Sequence, residues 1–388
     1  MISGQVIDNT GRLSDTKSDC YKDELRICDR VIKRYPYHYQ AWNYRSYLLA
    51  NIGQYEAAAE SYRHTLSLKA TEHRVWCNYG AVLEKLENLN EALRCYSRAL
   101  AQAPMYFKAQ YRKSKNLHRR ALYDEAVVSY EQAIQLRPDF YKVWYYRGKA
   151  LLQLNRIDQA IASFQKAVEL YDGDSKIWMI LGRTLLQAHY PQDALTAINH
   201  SLRLNSSNGS AWSYQAASLK ALGKLEDAIA SLDKSVALEP DNFRFWHFRG
   251  LVLLELDQLK AAEESFTMSL KLQAYNHQAW LAMGWALQKM ADYKRAIEAY
   301  DKSLAIEPDQ PLAFYNQARC HARLGQDMWA LEHLRRAMSL DPNIYTERAY
   351  ADPLLHTILQ DTESDDSSED DLEELELSSF EVLGQQEF

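Results

Sequence analysis

Apolar and small residues recur along this chain in a phase of 34 residues that no insertion or deletion breaks between Trp42 and Phe314. The fourth position of each unit is aromatic (Trp42, Trp76, Trp144, Trp178, Trp212, Trp246, Trp280, Phe314), except that Gln110 stands in the third unit. The eighth position is always small, as in Ser46, Gly80, Gly148 and Gly284. Position 20 is alanine in every unit from Ala58 to Ala330, and position 24 is large and apolar, as in Tyr62, Tyr96, Phe164 and Phe266. Each unit thus carries two stretches of about 13 residues with helical apolar spacing, for example Trp144, Gly148 and Leu151, then Ala160, Phe164 and Ala167. Small residues at positions 8 and 20 allow the two helix axes to approach, while the side chains at 4 and 24 fill the space between them. Proline at position 32 (Pro104, Pro138, Pro240, Pro308, Pro342) ends the second helix, because it cannot continue the hydrogen-bond ladder. A hairpin of this size cannot bury its own apolar face, so the pattern predicts hairpins stacked on one another.

Nine such units occupy residues 39–344. The flanks are expected to be a flexible start over 1–18, an N-terminal capping helix within 19–38 (Tyr21 to Arg34, then Pro36) and a capping segment over 345–360. Asp352-Pro353 is a helix-start signal within that last segment. Asn205-Ser206-Ser207-Asn208-Gly209 is the junction richest in turn residues and the expected place for a hinge.

Taken together, these residues resemble the tetratricopeptide-repeat (TPR) family over residues 39–344. The resemblance implies an all-α, single-domain α-solenoid, a right-handed superhelix of helical hairpins. It also implies a scaffold or adaptor that binds other proteins rather than an enzyme.

Composition narrows the chemistry further. Residues 361–388 hold 12 of the 52 acidic residues and no Lys, Arg or His, so the net charge of −7 conceals a net positive body joined to an acidic tail. That tail is expected to be disordered. Five cysteines (Cys20, Cys28, Cys77, Cys95, Cys320) form no CxxC pair, which fits free thiols in a reducing compartment. The polar N-terminus has no secretory h-region, and no apolar run is long enough to span a bilayer, so a cytoplasmic protein is expected. Gly-rich phosphate loops and helical His pairs are missing from the sequence. No catalytic residue, metal or cofactor is therefore expected.

In the family, positions 2, 5, 6, 9, 12 and 13 of the first helix line a concave groove. The resemblance thus assigns to it Lys108, Tyr111, Arg112, Lys115, His118 and Arg119 of the third unit, with Lys142, Tyr145, Tyr146 and Lys149 of the fourth and Lys176 and Arg183 of the fifth. No groove position of these three units is acidic, so an extended, acidic or carboxylate-terminated peptide is the expected ligand. Asn78, Lys108 and Arg112 also occupy three of the five places of the carboxylate clamp found in chaperone-binding members, although Asn43 and Tyr47 depart from it. An assembly chaperone or co-chaperone is thus an alternative, as is single-stranded nucleic-acid binding on the tyrosines. The sixth to eighth units present an apolar stretch instead: Tyr214, Phe248, Leu251, Leu254, Leu281 and Trp285. The tail 361–388 is a further candidate partner, docking on the basic groove in cis.

Overall fold

The computed structural model describes residues 16–360; residues 1–15 and the acidic tail 361–388 lie outside them. All regular structure in the described residues is helical. The chain divides into two compact units rather than one domain, the first ending at Tyr190 and the second opening at Pro191.

In the first unit, α1 (Thr16–Arg34) packs on the first of four hairpins: α2 (Tyr39–Asn51) with α3 (Tyr55–Leu68), α4 (His73–Lys85) with α5 (Leu89–Gln102), α6 (Phe107–Arg119) with α7 (Tyr123–Leu136), and α8 (Tyr141–Gln153) with α9 (Ile157–Leu170). Helix α10 (Ser175–Gln187) packs on α9 and closes this unit. The second unit begins with α11 (Pro191–Leu204) and continues as α12 (Gly209–Ala221) with α13 (Leu225–Leu238), α14 (Phe243–Glu255) with α15 (Leu259–Leu272), α16 (His277–Lys289) with α17 (Tyr293–Ile306), and α18 (Pro311–Arg323) with α19 (Asp327–Leu340). Helix α20 (Pro342–Ala351) and a last helix over 353–360 end the described chain.

The small residue at position 8 and the ring at position 24 meet directly. A Cβ added to Gly80 would lie 2.7 Å from the Tyr96 ring, and one added to Gly284 would lie 2.5 Å from Tyr300. The alanine at position 20 is fully buried in every unit.

The aromatic at position 4 does more than fill space. Each tryptophan there donates its indole N–H to the backbone carbonyl six residues earlier, where the preceding hairpin ends: Trp42 to Pro36 at 2.7 Å, Trp144 to Pro138 at 2.9 Å, Trp246 to Pro240 at 2.8 Å. Trp76, Trp178, Trp212 and Trp280 do the same. Gln110, which replaces the tryptophan in the third unit, turns its amide into its own hairpin and donates to the Ser129 carbonyl at 2.9 Å and to Gln132 Oε1 at 2.8 Å.

A second polar link has no counterpart in the apolar pattern. The side chain at position 7 joins position 25 of the preceding hairpin to position 23 of its own. Arg147 bonds Glu131 and Ser163, both at 2.7 Å, and Arg249 bonds Asp233 and Ser265 at the same distance. Arg45 makes the corresponding bonds to Asp29 of α1 and to Ser61, so α1 stands where the second helix of an earlier hairpin would. Gln215 repeats the motif with Asn199 and Ser231.

The turn within each hairpin passes through a left-handed residue at position 15. Only Gly53, Gly223 and Gly325 meet that need without a side chain; elsewhere Glu87, Ala121, Asn155, His189, Asp257 and Ala291 adopt it.

Three details depart from the sequence-based expectation. Pro342 does not merely end a helix but opens α20, with Asp341 capping Ile344 N–H at 3.4 Å, so the C-terminal segment starts earlier than 345. Helix α1 starts at Thr16, before Tyr21. At the 205–209 junction, the expected hinge, polar side chains bond locally. Asn208 caps Ala211 N–H at 3.2 Å and Ser207 Oγ donates to Asn205 at 2.8 Å. The break between units falls instead at Tyr190/Pro191.

Gly284→Ala is expected to destabilise the protein by about 1–3 kcal/mol, because the new methyl must displace a fully buried ring. At an open helical position the same change would add roughly 1 kcal/mol of stability. Thermal or urea unfolding followed by circular dichroism decides the sign, and an unchanged or raised midpoint would mean that Tyr300 moves aside freely.

Candidate functional site

The first helices of successive hairpins, α2, α4, α6 and α8, contact one another and form one row in the first unit. The predicted residues of α4, α6 and α8 cluster along that row. Lys108 Nζ donates to Asn78 Oδ1 at 3.4 Å, joining α6 to α4. One turn further along α6, Arg112 lines a cavity of about 540 Å³ with Lys115, Arg119, Glu84 and Glu87.

Aromatic rings from α6 and α8 form the middle of the patch. Tyr111 stacks on Phe107 at 6.0 Å and meets Tyr146 at 6.3 Å, while Tyr146 lies edge-on to Tyr145 at 5.0 Å. Burial raises the Tyr111 hydroxyl far above the usual tyrosine range, and Tyr146 and Tyr141 add to the effect, so it is a hydrogen-bond donor at every physiological pH.

The lysines sit over these rings. Lys115 Nζ is 5.1 Å from the Tyr146 ring centre and 5.8 Å from Tyr111; Lys149 Nζ is 5.7 Å from Tyr145 and 6.0 Å from Tyr146. Burial, reinforced by Arg112, Arg119 and Lys142, pulls Lys115 below the usual lysine range, with Glu84 opposing. Lys142, Lys176 and Arg183 are exposed.

Charge pairing separates two kinds of cation. Arg119 is held by Glu87 at 2.7 Å, and the structural Arg147 by Glu131 at 2.7 Å. Lys108, Arg112, Lys115, Lys142, Lys149, Lys176 and Arg183 make no ion pair among the described residues. Of the basic side chains assigned to this face, Arg119 alone makes an ion pair among the described residues. Sequence reasoning missed this because Glu87 lies in the turn after α4 and not at a groove position. It likewise missed Glu84, which accepts from Asn116 Nδ2 at 3.1 Å.

In the second unit the apolar assignment divides. Leu254 is 2% exposed and belongs to the core, whereas Trp285 is 50% exposed and lines a cavity with Leu251 and Leu281. Phe248 packs against the core cluster of α12, α13 and α14. Of the five cysteines, Cys20 alone is exposed, and burial pushes the Cys95 and Cys320 thiols up to about 12. Among the described residues no group of His, Cys, Asp and Glu could hold a metal, and no helix is long and apolar enough to cross a membrane.

Models described as tetratricopeptide repeat match residues 73–106, 111–175, 215–277 and 277–310, about half of the chain. A model described as protein prenyltransferase alpha subunit repeat matches residues 21–52. No curated protein matches the sequence. Among solved structures, the C-terminal part of a TPR repeat-containing protein from Cytophaga hutchinsonii is 17% identical, with 62% of this chain and 98% of that chain covered at a TM-score of 0.53, which shows a shared fold. PilF of Pseudomonas aeruginosa is 21% identical over 55% of this chain and 97% of its own, at a TM-score of 0.48. YrrB, described as a TPR protein with an unusual peptide-binding site, is 22% identical over 52% and 97%, at 0.43.

His118 sits beside this patch, edge-on to Tyr123 at 5.4 Å, with Nδ1 buried and unpartnered. Burial, and after it Lys149 and Lys115, lowers its pKa below the usual 6.5. The folded state therefore binds fewer protons than the unfolded chain just below that value, and stability falls as the pH drops through it. Melting midpoints between about pH 7.5 and about pH 5.5 should fall further for the wild type than for His118→Gln. Equal slopes would show that His118 titrates normally.

Proposed function

The chain belongs to the tetratricopeptide-repeat family, and on that premise we propose that it is a protein-interaction scaffold whose first unit binds extended acidic peptide segments on the face built by α4, α6, α8 and α10. The observation that carries this reading is the set of unpaired cations over tyrosine rings on α6 and α8. A half-buried ammonium such as Lys115 has lost hydration and forms no ion pair, with Glu84 offsetting only part of the loss, so a ligand carboxylate would recover part of that cost. The tyrosines add stiff apolar area and fixed hydroxyl donors at low entropic cost.

A second reading has its own support. Asn78 and Lys108 touch, with Arg112 one turn along α6, so an amide and two cations are grouped as they would be to receive a peptide's terminal carboxylate. A partner with a free C-terminus would use this end of the face and run toward Tyr146.

Binding of a fluorescent peptide of alternating Glu and aromatic residues, measured by anisotropy, tests both readings. Lys142→Glu/Lys149→Glu is expected to weaken it about tenfold or more at low salt, and the gap should narrow as salt screens the charges. Amidating the peptide's C-terminus should cost a further loss that Lys108→Ala abolishes if the terminal carboxylate is recognised. Equal affinity for the wild type and the double variant, with unchanged circular dichroism, would rule the basic face out. Displacement of the peptide by a single-stranded oligonucleotide at lower concentration would favour nucleic acid instead.

A further inference from the structure

The second unit carries a site of different chemistry. On its own row of first helices, α14, α16 and α18, a cavity of about 660 Å³ is lined by Leu251, Leu281, Trp285, Leu312, Arg319 and Arg348, among others. Trp285 and Leu312 are 50% and 40% exposed, which is unusual for large apolar side chains facing a common space. Arg319 uses Nε to pair with Asp352 at 2.9 Å, leaving the outer edge of its guanidinium for another acid. Arg348 lies over the Tyr345 ring at 5.4 Å and has no carboxylate partner among the described residues. His247, which also faces the cavity, keeps Nδ1 buried without a hydrogen-bond partner. The adjoining cavity of about 300 Å³ adds Lys289, Arg319 and Arg323. The whole is an apolar slot edged by cations, with an unfilled polar group inside.

We infer that this slot is the seat of the chain's own segment 372–383, bound in cis. Three observations select that occupant. First, the segment Leu372-Glu373-Glu374-Leu375-Glu376-Leu377-Ser378-Ser379-Phe380-Glu381-Val382-Leu383 interleaves large apolar residues with acids, the complement of Trp285 and the leucines among arginines. Second, residues 361–388 contain no cation, so nothing in the tail repels Arg319, Arg323 or Arg348. Third, the tail leaves from the right place. The helix over 353–360 buries Leu355, Ile358 and Leu359 in the cluster that holds Tyr315 and Tyr345, and Asp352 just before it grips the cavity's Arg319. The intervening residues 361–371 span at most about 40 Å when extended, so they act as a short tether. A tether of this length holds its segment at an effective concentration of order millimolar, enough to keep even a weak site occupied.

The proposal is independent of the basic face of the first unit and differs from docking of the tail there. It places the acids of the tail on the arginines of its own unit and its leucines and phenylalanine on Trp285. Any external ligand for this slot must displace the tail first.

A fluorescein-labelled peptide of residues 372–388 serves as the probe, titrated against full-length chains. The wild type should bind it at least tenfold more weakly than a full-length variant whose own segment is blunted (Leu377→Ser, Phe380→Ser, Val382→Ser). Adding Trp285→Ala or Arg348→Glu to the blunted variant should remove that gain, whereas adding Lys142→Glu/Lys149→Glu should not. Circular dichroism melts confirm that each variant folds. Equal binding by the wild type and the blunted variant would overturn occupancy in cis. Loss of binding through Lys142→Glu/Lys149→Glu would move the tail to the first unit, and binding insensitive to Trp285→Ala would empty the slot of this role. Failure here leaves acidic-peptide binding at the first unit untouched, and the reverse also holds.

Discussion

The approach of the two helices within a hairpin governs the rest of this architecture. At Gly80, Gly148, Gly250 and Gly284 of position 8, the ring at position 24 occupies the space a Cβ would take, as Tyr96 does beside Gly80 and Phe266 beside Gly250. Where it is serine, the hydroxyl of Ser46 or Ser114 turns back onto its own helix and donates to the carbonyl of residue 42 or 110, so the tight contact survives without an orphaned polar group. The fully buried alanine at position 20 completes this packing. A dense interior of this kind admits little play, so the second helix presents a fixed surface to the next hairpin.

Two polar links then join hairpin to hairpin, and each acts only between neighbours. The indole of position 4 fixes the carbonyl at the end of the preceding hairpin, a bond worth about 1 kcal/mol that also sets where the next helix starts. The side chain at position 7 reaches both backwards and forwards, as Arg147 does to Glu131 and Ser163. Removing one partner would leave the others half-buried and unmatched, which costs more than the bond itself contributes. Stability is therefore additive along each unit, and ends need a substitute neighbour. Helix α1 supplies one through Asp29, while at the other end Leu355, Ile358 and Leu359 cover α20 and its neighbours.

The apolar half of this design was legible in the sequence, because volume leaves a periodic trace: Gly, Ser or Ala at 8, Ala at 20 and a large apolar residue at 24 recur in strict phase. The polar half was less legible for a physical reason. Arg45, Arg147, Arg249 and Gln215 share a task but not a residue type, and their partners alternate between Asp, Glu and Asn, so chemistry varies where geometry is constant. The signal was present as a 16-residue offset between position 7 and a serine at position 23. The left-handed turn at position 15 was hidden because Glu87, Ala121 and His189 adopt it without any glycine to mark it. At the ends the phase fails altogether. Pro342 opens α20 directly after α19, and a one-residue break at Asp352 separates α20 from the final helix, a compressed geometry that the 34-residue period cannot anticipate.

The same distinction between structural and unspent charge bears on the candidate site. A structural arginine in this fold has a carboxylate at 2.7 Å from a neighbouring helix, as Arg147 and Arg249 do. Lys115 and Lys149 have rings beneath them instead, which hold the ammonium in place while compensating little of its charge. Burial already draws the proton of Lys115 off more readily than in water, so the folded protein carries an electrostatic cost there that Glu84 offsets only in part. Groups that merely kept the face soluble would extend into solvent without rings beneath them. A cation partly withdrawn from water, oriented by aromatic rings and left without a counter-ion is arranged for a charge that arrives from outside.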